Sequence, residues 1–91
     1  MHYVYILFSC KDKCLYTGFT HDLKTRFYYH IKGLVKATQH RRPLQLIYYE
    51  SYINELDARK REVYLKSGKG KDELKIQLSL TLVRLKYKYL S

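Results

Sequence analysis

Two runs of β-branched and aromatic residues, set a few polar residues apart, constrain this chain more than anything else in it. Tyr3-Val4-Tyr5-Ile6-Leu7-Phe8 reads as a strand, and so does Leu15 to Phe19. Only the polar break around Lys11-Asp12-Lys13 lies between them, which predicts an antiparallel hairpin. Side chains alternate along a strand, so Tyr3, Tyr5 and Leu7 share a face, as do Tyr16, Gly18 and Thr20. A chain of 91 residues opening on such a hairpin has room for one domain and one modest core.

Periodicity then changes. Thr20 or Asp22 is placed to cap a helix running to about Lys32 and ended by Gly33. Leu23, Phe27, Ile31 and Leu34 form its apolar stripe, and Arg26 and His30, four apart, lie along one border of it. A basic loop from Lys36 to Arg42 leads into Pro43, and Leu44 to Glu50 reads as a third strand, expected to be the most buried. Asn54 opens a second helix that runs to about Ser67 and stops at Gly68. Ala58, Glu62 and Leu65 share one face of it, so a carboxylate stands between two apolar residues.

The tail from Asp72 to Ser91 fits two periods. Its leucines alternate as in a strand, yet Leu74, Leu78, Leu82, Leu85 and Tyr89 also form a helical stripe. A helix from about Lys71 is the preferred reading. The expected fold class is α+β, a small single domain whose three-stranded mixed or antiparallel sheet is flanked by helices. Its order is β-β-α-β-α, with a C-terminal helix or strand added.

Lys plus Arg outnumber Asp plus Glu by 18 to 8, a net charge of +10, and 11 residues are tyrosine. Such charge on a small body points to an anionic partner. Basic and aromatic residues interleave through Arg26, Tyr28, Tyr29 and His30, then Lys36, His40, Arg41 and Arg42. Cations neutralise phosphates and aromatic faces stack on bases, so nucleic acid is the expected partner. No serine–histidine–aspartate order, paired glycosidase carboxylates or H-E-x-x-H zinc pattern is present. Lys66-Ser67-Gly68-Lys69-Gly70-Lys71 lacks the first glycine and the final hydroxyl of a phosphate-binding loop. It reads as a helix stop with solvated lysines, of which Lys66 and Lys69 are general phosphate contacts. Cys10 and Cys14 read as reduced thiols flanking a turn. The six-residue apolar start is too short for a secretory core, and no run approaches the roughly 20 residues of a membrane helix. A cytoplasmic location follows as the expectation.

Several motifs in order resemble the GIY-YIG endonuclease superfamily, and its small stand-alone bacterial members in particular. Val4-Tyr5 and then Tyr16-Thr17-Gly18 resemble the paired motifs that name it, with Tyr3-Val4 in place of glycine-isoleucine. Asp22-Leu23-x-x-Arg26-x-x-x-His30 resembles its first helix, and Ala58-x-x-Arg61-Glu62-x-x-Leu65-Lys66 the helix carrying its metal-binding glutamate. Arg41-Arg42-Pro43-Leu44 is similar to the segment before its third strand, where members often carry a tyrosine-threonine pair and this chain has Ala37-Thr38.

The resemblance implies a nuclease domain over residues 1–70, with 71–91 as an extension packed on it. It implies hydrolysis of a phosphodiester in DNA, RNA staying open beside it, with one divalent ion, Mg²⁺ or Mn²⁺, held by Glu62. Tyr5, Tyr16, Arg26 and His30 are its catalytic candidates, Tyr16 preferred over Tyr5 as general base. Lys36, His40, Arg41, Arg42, Lys66 and Lys69 are the candidate contacts to nucleic acid. A non-catalytic binding module of the same fold is the alternative. The chain is expected as a monomer, or as a weak homodimer through its C-terminal segment.

Overall fold

A computed structural model describes residues 1–89; the last two residues of the expected 71–91 extension lie outside it. The order is β1 (His2–Ser9), β2 (Leu15–Thr20), α1 (Leu23–Ile31), β3 (Leu44–Tyr52), α2 (Glu55–Lys66), α3 (Gly68–Gln77) and α4 (Ser79–Leu85). The sheet is antiparallel throughout, in the order β2-β1-β3. The hairpin pairs Tyr5 with Gly18 and Leu7 with Tyr16, so the two expected faces merge into one.

The expectation that the third strand is the most buried is overturned. β1 takes the centre, and Val4 through Ser9 are all buried, while β3 is an edge strand with no buried residue. A strand covered on both faces reads as a continuous apolar run, which Tyr3 to Phe8 does and Leu44 to Tyr52 does not. A bulge between Ile6 and Leu7 leaves Ile47 outside the ladder. It lets Ile47 and its neighbour Tyr48 both pack toward the same core.

That core lies on one face of the sheet. Val4 and Ile6 meet Ala58 and Leu65 of α2 and Leu74 of α3, and Phe8 meets Leu82 of α4 and Tyr87. The tail is therefore helical, as preferred, but it begins at Gly68 and breaks at Leu78. Its inward stripe completes the core, while Ile76, Leu80 and Val83 stay exposed. Ser67 joins the two helices: it ends α2, and its Oγ accepts from the Gly70 amide at 3.2 Å. Gly70 itself lies on the α2 backbone, where a Cβ would stand 2.6 Å from Leu65 Cα. Of the two glycines in the segment read as a helix stop, Gly70 thus permits a close helix crossing, while Gly68 stands in open space.

The opposite face, with Tyr5, Leu7 and Tyr16, is covered by α1 and the loop that follows. Here the expected stripe fails in its second half. Leu23 and Phe27 are half-buried, Ile31 and Leu34 are exposed, and the buried residue of α1 is His30. The helix packs on two tyrosines rather than on the main core, so its inward position at that end is polar. The loop is stitched to the hairpin by Ser9, whose Oγ donates to the Arg41 carbonyl at 2.6 Å. Arg41 reaches Asp12 at 2.5 Å and 3.2 Å and also donates to the Leu15 carbonyl.

Candidate active site

The site forms where the central hairpin meets α1. Period-two alternation places Tyr5 and Tyr16 on one face of neighbouring strands, and α1 brings Arg26 and His30 to that face one turn apart. The rings of Tyr5 and Tyr16 have centroids 6.4 Å apart, and His30 sits 5.6 Å and 5.3 Å from them, edge-on to both. Gly18 makes this cluster possible. The Tyr5 ring lies over it, and a Cβ there would come within 2.8 Å of Tyr5 Cε1 and closer still to the phenol end.

Tyr5 is buried at 1% exposure, and Tyr16 is partly exposed. Tyr5 Oη and His30 Nε2 are hydrogen-bonded at 2.8 Å, and His30 Nδ1 is bonded to Thr38 Oγ1 at 2.7 Å. Both His30 and Thr38 are wholly buried. Burial pushes the Tyr5 phenol up to about 12; Arg26 beside it pulls the other way, and Tyr16 and Glu62 add to the rise. Burial, aided by Arg26, depresses His30 to about 4. At neutral pH the pair is therefore a protonated phenol against a neutral imidazole.

Glu62 projects from the Ala58/Leu65 side of α2 with its side chain only 16% exposed, paired with Lys66 at 3.0 Å. Its charge adds to the rise of the Tyr5 phenol. No three His, Cys, Asp or Glu residues come together as a metal cluster among the described residues. One largely buried carboxylate still suits a hard cation. Mg²⁺ and Mn²⁺ prefer oxygen and often take one or two carboxylates, completing their shell with phosphate and water. Glu62 is the carboxylate here that would hold such an ion.

The register of α2 has a second anchor. Glu50 on β3 accepts from Tyr48 at 2.6 Å and Tyr52 at 2.5 Å, and from Arg61 in a fork of 2.9 and 3.0 Å. Arg61 also donates to Glu73 of α3 at 3.0 Å. The residue before Glu62 is thus fixed to both the sheet and the next helix.

The candidate nucleic-acid contacts divide. Lys36, His40 and Lys69 are exposed. Arg42 is exposed too, its guanidinium donating to the Gln39 and Ile31 carbonyls at 3.1 and 3.4 Å. Arg41 is matched by Asp12, whose carboxyl it holds down to about 2, and Lys66 is matched by Glu62. Sequence reasoning missed Thr38 as part of the cluster. It lies in a polar loop, and nothing in that loop's composition marks one hydroxyl as buried.

The small α+β domain with paired tyrosines on one sheet face belongs, by its domain match, to a nuclease family. Residues 1–75 match the GIY-YIG catalytic domain, and the chain belongs to the GIY-YIG family. A UPF0213 protein of Clostridium perfringens is 39% identical over 88 residues, covering 96% of this chain and 94% of its own length. A UPF0213 protein of Staphylococcus saprophyticus is 41% identical, covering 82% and 92%. One of Pediococcus acidilactici is 45% identical, covering 80% and 76%. No solved structure matches this chain. No helix among the described residues is long and apolar enough to cross a membrane.

Proposed function

We propose that this chain is a metal-dependent endonuclease that hydrolyses phosphodiester bonds in DNA, structure-selective or only weakly sequence-specific, in the cytoplasm. The observation that carries the reading is the convergence of Tyr5, Tyr16 and His30 on one face of the hairpin, with Arg26 beside the Tyr5 phenol. Hydrolysis needs a deprotonated water, charge stabilisation on the phosphate and help for the leaving oxygen. Tyr16 is the partly exposed phenol and takes the water's proton. Tyr5 keeps its own proton at neutral pH, so it serves as a hydrogen-bond donor. Arg26 grips a non-bridging oxygen in bidentate fashion. His30, neutral and bonded to Tyr5, holds that phenol in place. When bound at Glu62, Mg²⁺ or Mn²⁺ supplies charge stabilisation to the phosphate. Lys36, His40 and Arg42 neutralise neighbouring phosphates, and Arg41 holds their loop on the hairpin.

Glu62→Gln keeps the side chain's size and removes its charge. We expect this variant to lose nicking of supercoiled plasmid with Mg²⁺ or Mn²⁺ while DNA binding persists. Wild-type nicking should stop when a chelator is added. The Glu62–Lys66 pair favours the alternative of a non-catalytic module, because it already satisfies the carboxylate. Wild type that binds DNA and never nicks it selects that alternative. Glu62→Gln that cuts like wild type removes the metal assignment.

A further inference from the structure

We infer that Thr38 is a positioning residue: its hydroxyl donates to His30 Nδ1, fixes the imidazole as the Nε2–H tautomer and so turns the Tyr5 hydroxyl proton outward toward the substrate. The argument is an inventory of protons. Thr38 Oγ1 is wholly buried, and among the described residues its one hydrogen-bond partner is His30 Nδ1 at 2.7 Å. A threonine hydroxyl carries one proton, and a neutral imidazole has one donor nitrogen and one acceptor.

Two arrangements are possible. If Nδ1 carries the proton, Thr38 must accept, and its own hydroxyl proton is left in the interior with no acceptor. An unmade bond of that kind is the costly one. If Nε2 carries the proton, Thr38 donates to Nδ1, and the hydroxyl proton left over is that of Tyr5, on the face it shares with the partly exposed Tyr16 rather than behind the imidazole. Nε2–H then donates to Tyr5 Oη across the 2.8 Å contact. Arg26, which can only donate, stands beside the same phenol. With Nε2–H aimed at its oxygen and the Arg26 charge nearby, Tyr5 has a proton to give and no reason to take one. Its hydroxyl then donates to a phosphate oxygen or to the leaving oxygen, and the water's proton falls to Tyr16.

The proton order Thr38→His30→Tyr5 stands on the free protein. Its use in cleavage rests on the nuclease reading, and two separate measurements keep the two apart. The first is the imidazole ¹⁵N spectrum of the full, DNA-free chain at pH 7.5, with His30 assigned by its loss in His30→Gln. We expect Nε2 in the protonated range and Nδ1 in the unprotonated range of a neutral ring. The reverse pattern, or an averaged one, overturns the inference whether or not the protein cuts DNA.

The second compares Thr38→Ser with Thr38→Val. Serine keeps the donor and should keep the ¹⁵N pattern and the cleavage rate within about threefold. Valine removes it and should give a mixed tautomer pattern. Its cleavage rate should fall by about 10–100-fold, as when an outer partner of a positioned histidine is lost, with DNA affinity within about twofold. Thr38→Val that cuts at the wild-type rate overturns the positioning role. Wild type with the expected ¹⁵N pattern and no cleavage at all upholds the proton order and removes the nuclease reading instead.

Discussion

Gly18 shows how little space the Tyr5 phenol is given. The Tyr5 ring has no slack, being buried and bonded to His30, so a methyl at position 18 must displace it. We expect Gly18→Ala to cost cleavage about 100-fold, the scale of a roughly 1 Å misplacement, with its far-ultraviolet spectrum unchanged. The two tyrosines should also part company. Tyr16→Phe should slow cleavage about 10²–10⁴-fold, as for a lost acid-base group, and leave the melting temperature alone. Tyr5→Phe should in addition lose about 1–3 kcal/mol of stability, because it strands a buried donor of His30; equal melting temperatures would contradict this. The tyrosine faces were legible from alternation alone. That His30 lies inside rather than along a border was not, because an apolar stripe on α1 points to Ile31 and Leu34, which the fold leaves exposed. His30 also sets a pH dependence. Tyr5, Tyr16 and Arg26 face it, and its folded value of about 4 lies below the 6.5 of a free histidine. The unfolded chain therefore takes up the proton first on acidification. Stability should be constant above about pH 6.5 and fall between there and about pH 4, by at most about 3 kcal/mol. Urea melts of wild type and His30→Gln across that window check this, the variant lacking the decline.

Among the elements, α2 depends on partners that its own sequence hides. Arg61 sits amid charged residues and reads as solvated surface, yet it bridges Glu50 of β3 and Glu73 of α3. Glu50 in turn collects Tyr48 and Tyr52. Arg61→Met should leave the Glu50 carboxylate short of its charged partner and cost about 1–3 kcal/mol. For a domain of this size that lowers the melting temperature by about 4–8 °C per kcal/mol. A change under 2 °C would reduce the network to ordinary surface pairing. The tail carries a larger share. Leu74 and Leu82 are at most 1% exposed and Tyr87 is at 7%, all packed on the sheet. A chain cut after Gly70 should fail to fold cooperatively in a thermal melt. The helical stripe of the tail was present in the sequence, but so was the strand period. What decides between them is long-range packing, Leu74 on Val4 and Ile6 and Leu82 on Phe8, which no local period reports.

For the molecule as a whole, the count of 18 lysines and arginines overstates what is free to meet a nucleic acid. Arg41 is matched by Asp12 and Lys66 by Glu62, so on the proposed reading the loop's phosphate contacts fall to Lys36, His40 and Arg42. Lys36→Ala should lower the log–log salt slope of duplex binding by about 0.9, one phosphate's worth. Arg41→Ala should lower the melting temperature and leave that slope where it was. A fall in slope for Arg41→Ala alone would restore it as a phosphate contact. Strand order was the feature of the fold least legible locally, because neighbours in a sheet are chosen by segments far apart. That order has a consequence for how the chain comes into being. β1 is made first and finished last: β2 follows it at once, but its other partner begins at Leu44. A hairpin closes in about 1–10 μs, whereas the roughly 40 residues from Ser9 to Tyr52 take several seconds to synthesise at about 5–20 residues per second. For that interval the most apolar strand of the chain has one open edge on the ribosome, a window for chaperone capture set by where β3 is encoded.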